Sequence, residues 1–387
     1  MNKVRERISA IHRNFAGERI TDVCSSLKHS TDWFYYWRNR YDKFGIYGLT
    51  NSTNKIPHNK TPIEMEHAIV KMRIELKKRK YMLIGAPTIQ RELIELGFKN
   101  IPPIRTIEEI LKRNNLTYFK QKVKKNFKLK DYPKPKCKAP NDVFELDLIG
   151  PRYLKGSNQK YYYYVLKDVF SKAISIDASD SKKALKILDF LVSAFQSLGI
   201  PKVLQLDNAL EFRGSNRYPR SFSKIIRLCL FLGIEVTFIP EGMPRYNGSI
   251  ENFNGFVNRD FIEKQELKSL KHIKNELKNL QKIANERHPH EDLEYKTSFE
   301  IRKNLKFRKL SKSFKEHLGK IPIFPGKISF IRLVRKSGRI TIQNEKFYVT
   351  KTKKYQFVKA TIFTKEQKLN IYLKGKLIKT FDYRLSV

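Results

Sequence analysis

Apolar positions near the start of the chain recur every three or four residues, the spacing that lays one helix face on a core. Ile8, Ile11 and Phe15 form one such stripe, Ile20, Val23, Cys24 and Leu27 a second, and Trp33, Phe34 and Trp37 a third. Ser30 or Thr31 is placed to cap the third helix, which carries Arg38 and Arg40 beyond its aromatic residues. Three short helices in this order predict a helix-turn-helix unit over 1–50, its third helix reading a DNA groove. A plain three-helix bundle fits the same spacing. After a loop, 61–114 predicts a second helical DNA-binding unit: a turn, a helix and a glycine stop between Ile84 and Gly97, then a short helix with Ile107, Ile110 and Leu111 inward.

Beyond residue 141 the period changes. Runs at 143–149, 161–166 and 173–176 are β-rich and separated by Gly-Pro, Gly-Ser and Ser-Lys breaks. Helical spacing returns over 182–198, followed by a short strand at 203–206, a helix at 222–232, a strand at 234–239 and a helix from Gly248 to about residue 264. Three strands, helix, strand, helix, strand, helix predict a mixed sheet of ribonuclease-H-like layout over 141–265. An amphipathic helix at 268–287 forms a helical extension, 266–300. The tail, 320–387, reads as six short strands with Gly326, Gly338, Asn344 and Gly375 in the turns, which predicts a small basic β-barrel. The expected fold class is therefore multidomain: α, then α/β, then β.

Charge adds a partner to this picture. The 387 residues carry a formal charge of +41, concentrated at the two ends: +18 over 1–140, +2 over 141–263 and +20 over 301–387. A nearly neutral middle between two basic arms predicts a nucleic-acid partner, because an excess serving only solubility would be spread evenly. The densest stretch is 111–140, which includes the basic linker at 115–140. There Lys122, Lys124 and Lys125 lie between the aromatic residues Tyr118, Phe119 and Phe127, and Pro133, Pro135 and Pro140 favour an extended strap. Cys24, Cys137 and Cys229 are far apart and form no CxxC pair, which excludes a disulfide framework and a cysteine zinc site. No run approaches the length of a membrane span and the first residues lack a secretory apolar core, so a cytoplasmic, nucleoid-associated protein without a membrane partner is expected.

Three acids stand in settings that solubility does not explain. Asp147 sits within the apolar strand FELDLIG, Asp207 ends VLQLD, and Glu251 lies on the first turn of the helix opened by Asn247-Gly248. In a ribonuclease-H-like sheet the first strand, the fourth strand and the last helix converge at one edge. Two carboxylates ~4 Å apart repel by about 4 kcal/mol at an effective dielectric of 20, and hard divalent cations relieve that repulsion. Asp142, Glu145, Asp168, Glu211 and Glu241 are rival acids: Asp168, in the turn after the second strand, reads as structural, while Glu241 is the most serious competitor with Glu251 for the third place.

The segment from Ile239 to Asn254, IPEGMPRYNGSIENFN, resembles the loop and helix of the integrase core in bacterial insertion-sequence transposases, relatives of retroviral integrases with an Asp-Asp-Glu site. Asp207-Asn208 with Glu211-Phe212 is similar to the family's second-acid motif, and Asp147 falls where its first acid is expected. Asn285-Glu-Arg-His-Pro-His290 resembles the segment that follows this core, and the N-terminal units match the family's arrangement. The resemblance places the third acid at Glu251 rather than Glu241. It departs at Ala209, where the family has glycine, in the 43 residues between Asp207 and Glu251, and at Asn258, where a basic residue is common and Arg259 follows instead.

The resemblance implies a DDE transposase. Asp147, Asp207 and Glu251 would hold two Mg²⁺ ions, with Mn²⁺ able to substitute, and cleave DNA at the element's 3′ ends before joining them to target DNA. Arg38, Arg40, Lys122, Lys124, Lys125, Arg245, Tyr246, Asn247 and Arg259 are the expected contacts to double-stranded DNA, both terminal inverted repeats and target. Two ends must be held together, so at least a dimer on DNA is expected. The competing expectation is a non-catalytic helix-turn-helix regulator derived from a transposase.

Overall fold

The computed structural model describes residues 3–50, 61–117, 132–154, 156–214, 218, 220–243, 248–314, 321–350 and 354–386. The chain divides into two compact units, Met1–Asn126 with Arg287–Tyr295, and Phe127–Glu286 with Lys296–Val387.

The first unit is helical: α1 (Lys3–Phe15), α2 (Ile20–Leu27), α3 (Thr31–Phe44), α4 (Ile63–Lys78), α5 (Ala86–Glu95) and α6 (Ile104–Arg113). The predicted stripes face inward, with Ile8 and Ile11 meeting Tyr41, and Val23 and Cys24 meeting Phe34. Ser30 caps α3 by accepting from the Trp33 N–H at 3.2 Å. A tight turn follows α3, and a Cβ at Gly48 would lie 2.1 Å from the Arg40 carbonyl oxygen, so only glycine fits there. The α4–α6 helices close on their own core of Ile69, Val70, Ile89, Leu93, Ile107 and Ile110. The Tyr41 hydroxyl bonds Asn114 Oδ1 at 3.2 Å, and its ring stacks on His67.

The second unit is built on strands β1 (Val143–Tyr153), β2 (Lys160–Asp168), β3 (Ile174–Ser179), β4 (Val203–Leu206), β5 (Glu235–Phe238) and β6 (Lys327–Leu333). Strands β7 (Arg339–Ile342), β8 (Glu345–Tyr348), β9 (Phe357–Phe363), β10 (Lys368–Leu373) and β11 (Lys376–Asp382) follow. Its helices are α7 (Ala184–Ser197), α8 (Leu210–Arg213), α9 (Lys224–Phe231), α10 (Gly248–Val257), α11 (Leu270–Arg287) and α12 (Ser298–Arg302). The first five strands run in the order β3-β2-β1-β4-β5, with β1, β2 and β3 antiparallel and β4 and β5 parallel to β1. This is the ribonuclease-H-like order. Helices α7 and α9 cover one face through Leu188, Leu191, Phe195, Ile225 and Leu228, packed on Phe144, Leu204, Val236 and their neighbours.

The tail corrects the expected separate barrel. Strand β6 pairs in parallel with β5, Val236 opposite Ile328 and Phe238 opposite Phe330, and β9, β10 and β11 continue antiparallel, making one nine-stranded sheet. Only β7 and β8 form a ribbon of their own. The reason lies in β6: five of its seven residues are buried, the profile of a central strand. Ile328, Phe330, Ala360 and Ile362 carry the same apolar core onward under the added strands. Strand spacing and turns report a meander, and they are silent on which sheet it joins.

The opposite face carries a polar row across seven neighbouring strands. Lys167, Glu145, Gln205, Thr237, Ser329, Thr361 and Asn370 are each level with the next in the register.

Candidate active site

Glu145 on β1 lies level with Gln205 on β4. Two residues on, side chains return to the same face, so Asp147, within β1, and Asp207, just past the end of β4, follow on the same face as Glu145 and Gln205. Alternation sends Leu146 and Leu206 into the core on the other face, where both are fully buried. The pairing of the first two acids is thus a consequence of strand register.

Helix α10 lies over these strands and is matched to them. The Ile250 N–H donates to Glu145 Oε2 at 2.9 Å, and Asn254 Nδ2 donates to Asp147 Oδ2 at 2.6 Å. Four helical residues rise ~6 Å and two strand residues ~6.6 Å, so one turn of α10 spans the two carboxylates. Lys167, opposite Glu145 on β2, donates to the Ser249 carbonyl at 2.7 Å, and Gln205 donates to Glu145 Oε1 at 3.1 Å. Glu251 stands exposed on the first turn of the helix so anchored.

Burial pushes the Asp147 carboxyl above the usual range, against the hydrogen bond from the Leu148 N–H. The charge of Asp207 raises it further, the Asn254 hydrogen bond opposes, and the charge of Glu251 adds to the rise. Asp207 is also raised, chiefly by burial and then by Glu211, against the bond from the Ala209 N–H to its Oδ1 at 3.0 Å. Burial lifts Glu145 to about 7. Asp147 and Asp207 are therefore desolvated and mutually repelling, a donor set that suits a hard divalent cation. Asp147 feels both other acids, yet among the described residues no group of three His, Cys, Asp or Glu side chains is gathered for a metal.

The other expected residues fall variously. Glu241 pairs with the buried Arg332 at 3.2 Å, and Asp168 is fully buried, bonded to Ser171, Arg302 and the Asn141 N–H. Arg38 pairs with Asp42 at 3.0 Å, and Arg40 donates to the Gly48 carbonyl at 2.8 Å, so each has a partner within its own unit. Arg259 is exposed and pairs with Asp260. Lys122, Lys124, Lys125, Arg245, Tyr246 and Asn247 lie outside the described residues.

Several residues of this edge were not singled out from sequence: Lys167, Gln205, Asn254 and Arg332. The signal was present for one of them, an amide three positions after Glu251 on the same helix side, while Glu145 stands in the sequence only as a rival acid.

Residues 232–297, which span β5, α10 and α11, match the integrase core domain family. Over 157 residues the chain is 24% identical to the "Insertion element IS407 uncharacterized 31.7 kDa protein" of Burkholderia multivorans, covering 41% of this chain. The chain resembles an insertion-sequence transposase with an integrase core. It spans about half, 53%, of the length of that curated relative. The integrase-core match includes Glu251 and Asn254 and leaves Asp147 and Asp207 outside it. Among solved structures, the HTLV-2 integrase catalytic core domain in complex with magnesium is 20% identical, covers 42% of this chain and 97% of its own, and aligns with a TM-score of 0.33. The simian T-cell lymphotropic virus intasome in complex with PP2A regulatory subunit B56 gamma is 17% identical, covers 59% of this chain and 76% of its own, with a TM-score of 0.36. Among the described residues no helix is long and apolar enough to cross a membrane.

Proposed function

We propose that this protein is a DDE transposase of an insertion element, acting on double-stranded DNA in the bacterial cytoplasm. Asp147, Asp207 and Glu251 would hold two Mg²⁺ ions, for which Mn²⁺ would substitute, and such ions would activate an attacking oxygen and stabilise the leaving one at a phosphodiester. Water attacks the phosphodiester at the element's 3′ end, exchanging one P–O bond for another and freeing a 3′-OH. That hydroxyl then attacks target DNA in the same way.

The chain's own groups set the geometry. Asn254 holds one oxygen of Asp147 and the Leu148 N–H the other, which fixes the plane of the carboxylate. Glu145 and Lys167 hold the first turn of α10, and through it the backbone of Glu251. The helical units with Arg38 and Arg40, and the linker with Lys122, Lys124 and Lys125, bind the terminal inverted repeats. Arg245, Tyr246, Asn247 and Arg259 position DNA beside the acids. A dimer at least pairs the two ends.

One observation carries this reading: strand register sets Asp147 and Asp207 on one face of the sheet, and the helix that bears Glu251 is tied to Asp147 by the Asn254 amide at 2.6 Å. Purified protein with a labelled terminal repeat, a target plasmid and Mg²⁺ is expected to give joined products, and Asp147→Asn or Glu251→Gln to abolish them while binding stays within a few-fold. Nicks without joining assign a nuclease. Binding without either, in wild type, assigns the regulator and removes the catalytic reading.

A further inference from the structure

A second site lies at the other end of the same strands. A cavity of about 840 Å³ opens beside Asn141, Val203 and Thr237, four residues or ~13 Å along β4 from Asp207. Its described lining carries five cations, Lys136, Lys202, Lys306, Arg308 and Lys359, against one carboxylate, Glu235. That carboxylate is already bound to Lys327 at 2.7 Å, and Lys202 is answered by Asp142 at 2.7 Å. Lys136, Lys306 and Lys359 have no hydrogen bond or ion pair among the described residues. Lys359 is the telling one, since it rises from β9 half-buried: burial lowers its pKa, the charge of Glu235 opposes that fall and the charge of Lys327 adds to it, and Glu235 itself is already paired with Lys327.

Both walls are fixed. On one side the Lys138 and Ala139 N–H groups donate to Asp142 Oδ2 at 2.8 and 2.9 Å, which ties down the extended segment bearing Lys136. On the other, Ile200 N–H donates to the Arg308 carbonyl at 2.7 Å, and Gly199 leaves room for Phe307 to close against it. Cations held on rigid walls over a partly desolvated lysine form a trough for an extended polyanion, and an aqueous cation would gain nothing from that burial.

We propose that this trough is a second DNA contact, separate from the acid edge, which takes the phosphodiester backbone of duplex DNA along Lys136, Lys306 and Lys359. The contact needs neither the metal ions nor the catalytic reading above.

The test is fluorescence anisotropy of a labelled duplex with the full chain, in EDTA, between 50 and 200 mM salt. Each lost phosphate contact lowers the slope of log affinity against log salt by ~0.9. Lys136→Ala, Lys306→Ala and Lys359→Ala together are expected to lower it by about 2.7, so the loss of affinity over that fourfold salt range shrinks by about 40-fold. A control removing three exposed lysines elsewhere, Lys365, Lys374 and Lys376, is expected to change the slope by less than half a contact. Equal changes in the two variants assign the effect to net charge and overturn the proposal, as does an unchanged slope in the trough variant. If the triple variant does not fold, Lys136→Glu with Lys306→Glu, both exposed, is read the same way. Inorganic phosphate competing at low millimolar concentration as well as duplex overturns a DNA contact in favour of a small anion. Loss of joining in Asp147→Asn leaves every one of these outcomes readable.

Discussion

Replacing Glu145 by Gln tests whether a buried carboxylate anchors the helix that bears Glu251. Glu145 is 5% exposed, accepts from the Ile250 N–H and from Gln205, and titrates near 7 because burial disfavours its charge. The Ile250 bond, Lys167 and Lys172 oppose that rise, and Asp147 adds to it. A carboxyl raised from 4.5 to about 7 takes up its proton more readily in the folded than in the unfolded chain. Its contribution to stability is therefore complete below pH 4.5 and is lost as pH rises through 7, a change of about 3 kcal/mol in all. Glutamine keeps the shape and one acceptor but cannot ionise. The unfolding free energy of Glu145→Gln minus that of wild type is expected to rise by about 2–3 kcal/mol between pH 5 and pH 8, as other titrations cancel in the difference. Denaturant melts in EDTA at each pH measure it. A difference that stays flat across this interval refutes the argument, because Glu145 would then ionise as freely in the fold as outside it.

Arg302 donates to the fully buried Asp168 at 2.6 Å, so Arg302→Ala leaves a buried carboxylate without its counter-ion and is expected to cost about 3–5 kcal/mol in denaturant melts, with Arg302→Lys recovering part. A Cβ on Gly199, at φ +93°, would lie 2.6 Å from Asn141 Nδ2 and 2.8 Å from Phe307 Cβ, so Gly199→Ala is expected to lower stability by about 2 kcal/mol in a thermal melt. Asn254→Ala removes the donor that orients Asp147, and strand joining is expected to fall about 10- to 100-fold with DNA affinity unchanged.

Much of this fold can be read along the chain because its signals are local. Helical stripes, glycine stops at Gly97, Gly199 and Gly233, and the break after residue 141 all act within a few residues of themselves, and the observed elements begin and end close to them. Asp147 and Asp207 are legible too, since an acid in an apolar strand and one at a strand end are anomalies that burial makes costly. What was not legible depends on partners far away in sequence. The register that levels Glu145 with Gln205 and Lys167 is set by sheet pairing, so sequence leaves Glu145 one rival acid among several and does not show what it anchors. Arg38 and Arg40 show the converse. Both look free in a basic stretch, yet Asp42 and the Gly48 carbonyl hold them.

The tail bears most directly on how the site is held. Arg332, on β6, is 3% exposed and donates to Asn208 Oδ1 at 2.8 Å, while Asn208 Nδ2 donates to the Ile239 carbonyl at 2.7 Å. Asn208 follows Asp207 directly, so a strand more than a hundred residues downstream fixes the turn that aims the second acid. The same strand covers the edge of β5 and stacks Phe330 on Phe238 at 4.8 Å. A chain cut at residue 300 keeps Asp147, Asp207 and Glu251 but loses both services. It exposes an unpaired apolar strand edge, the template for aggregation, and it frees Asn208. Such a fragment is expected to bind the dye ANS strongly and to elute as aggregates in size-exclusion chromatography. Arg332→Ala in the full chain is expected to stay monodisperse and lose joining. A well-behaved, active fragment would mean that the added strands are an appendage and that Asp207 is positioned by the first five strands alone.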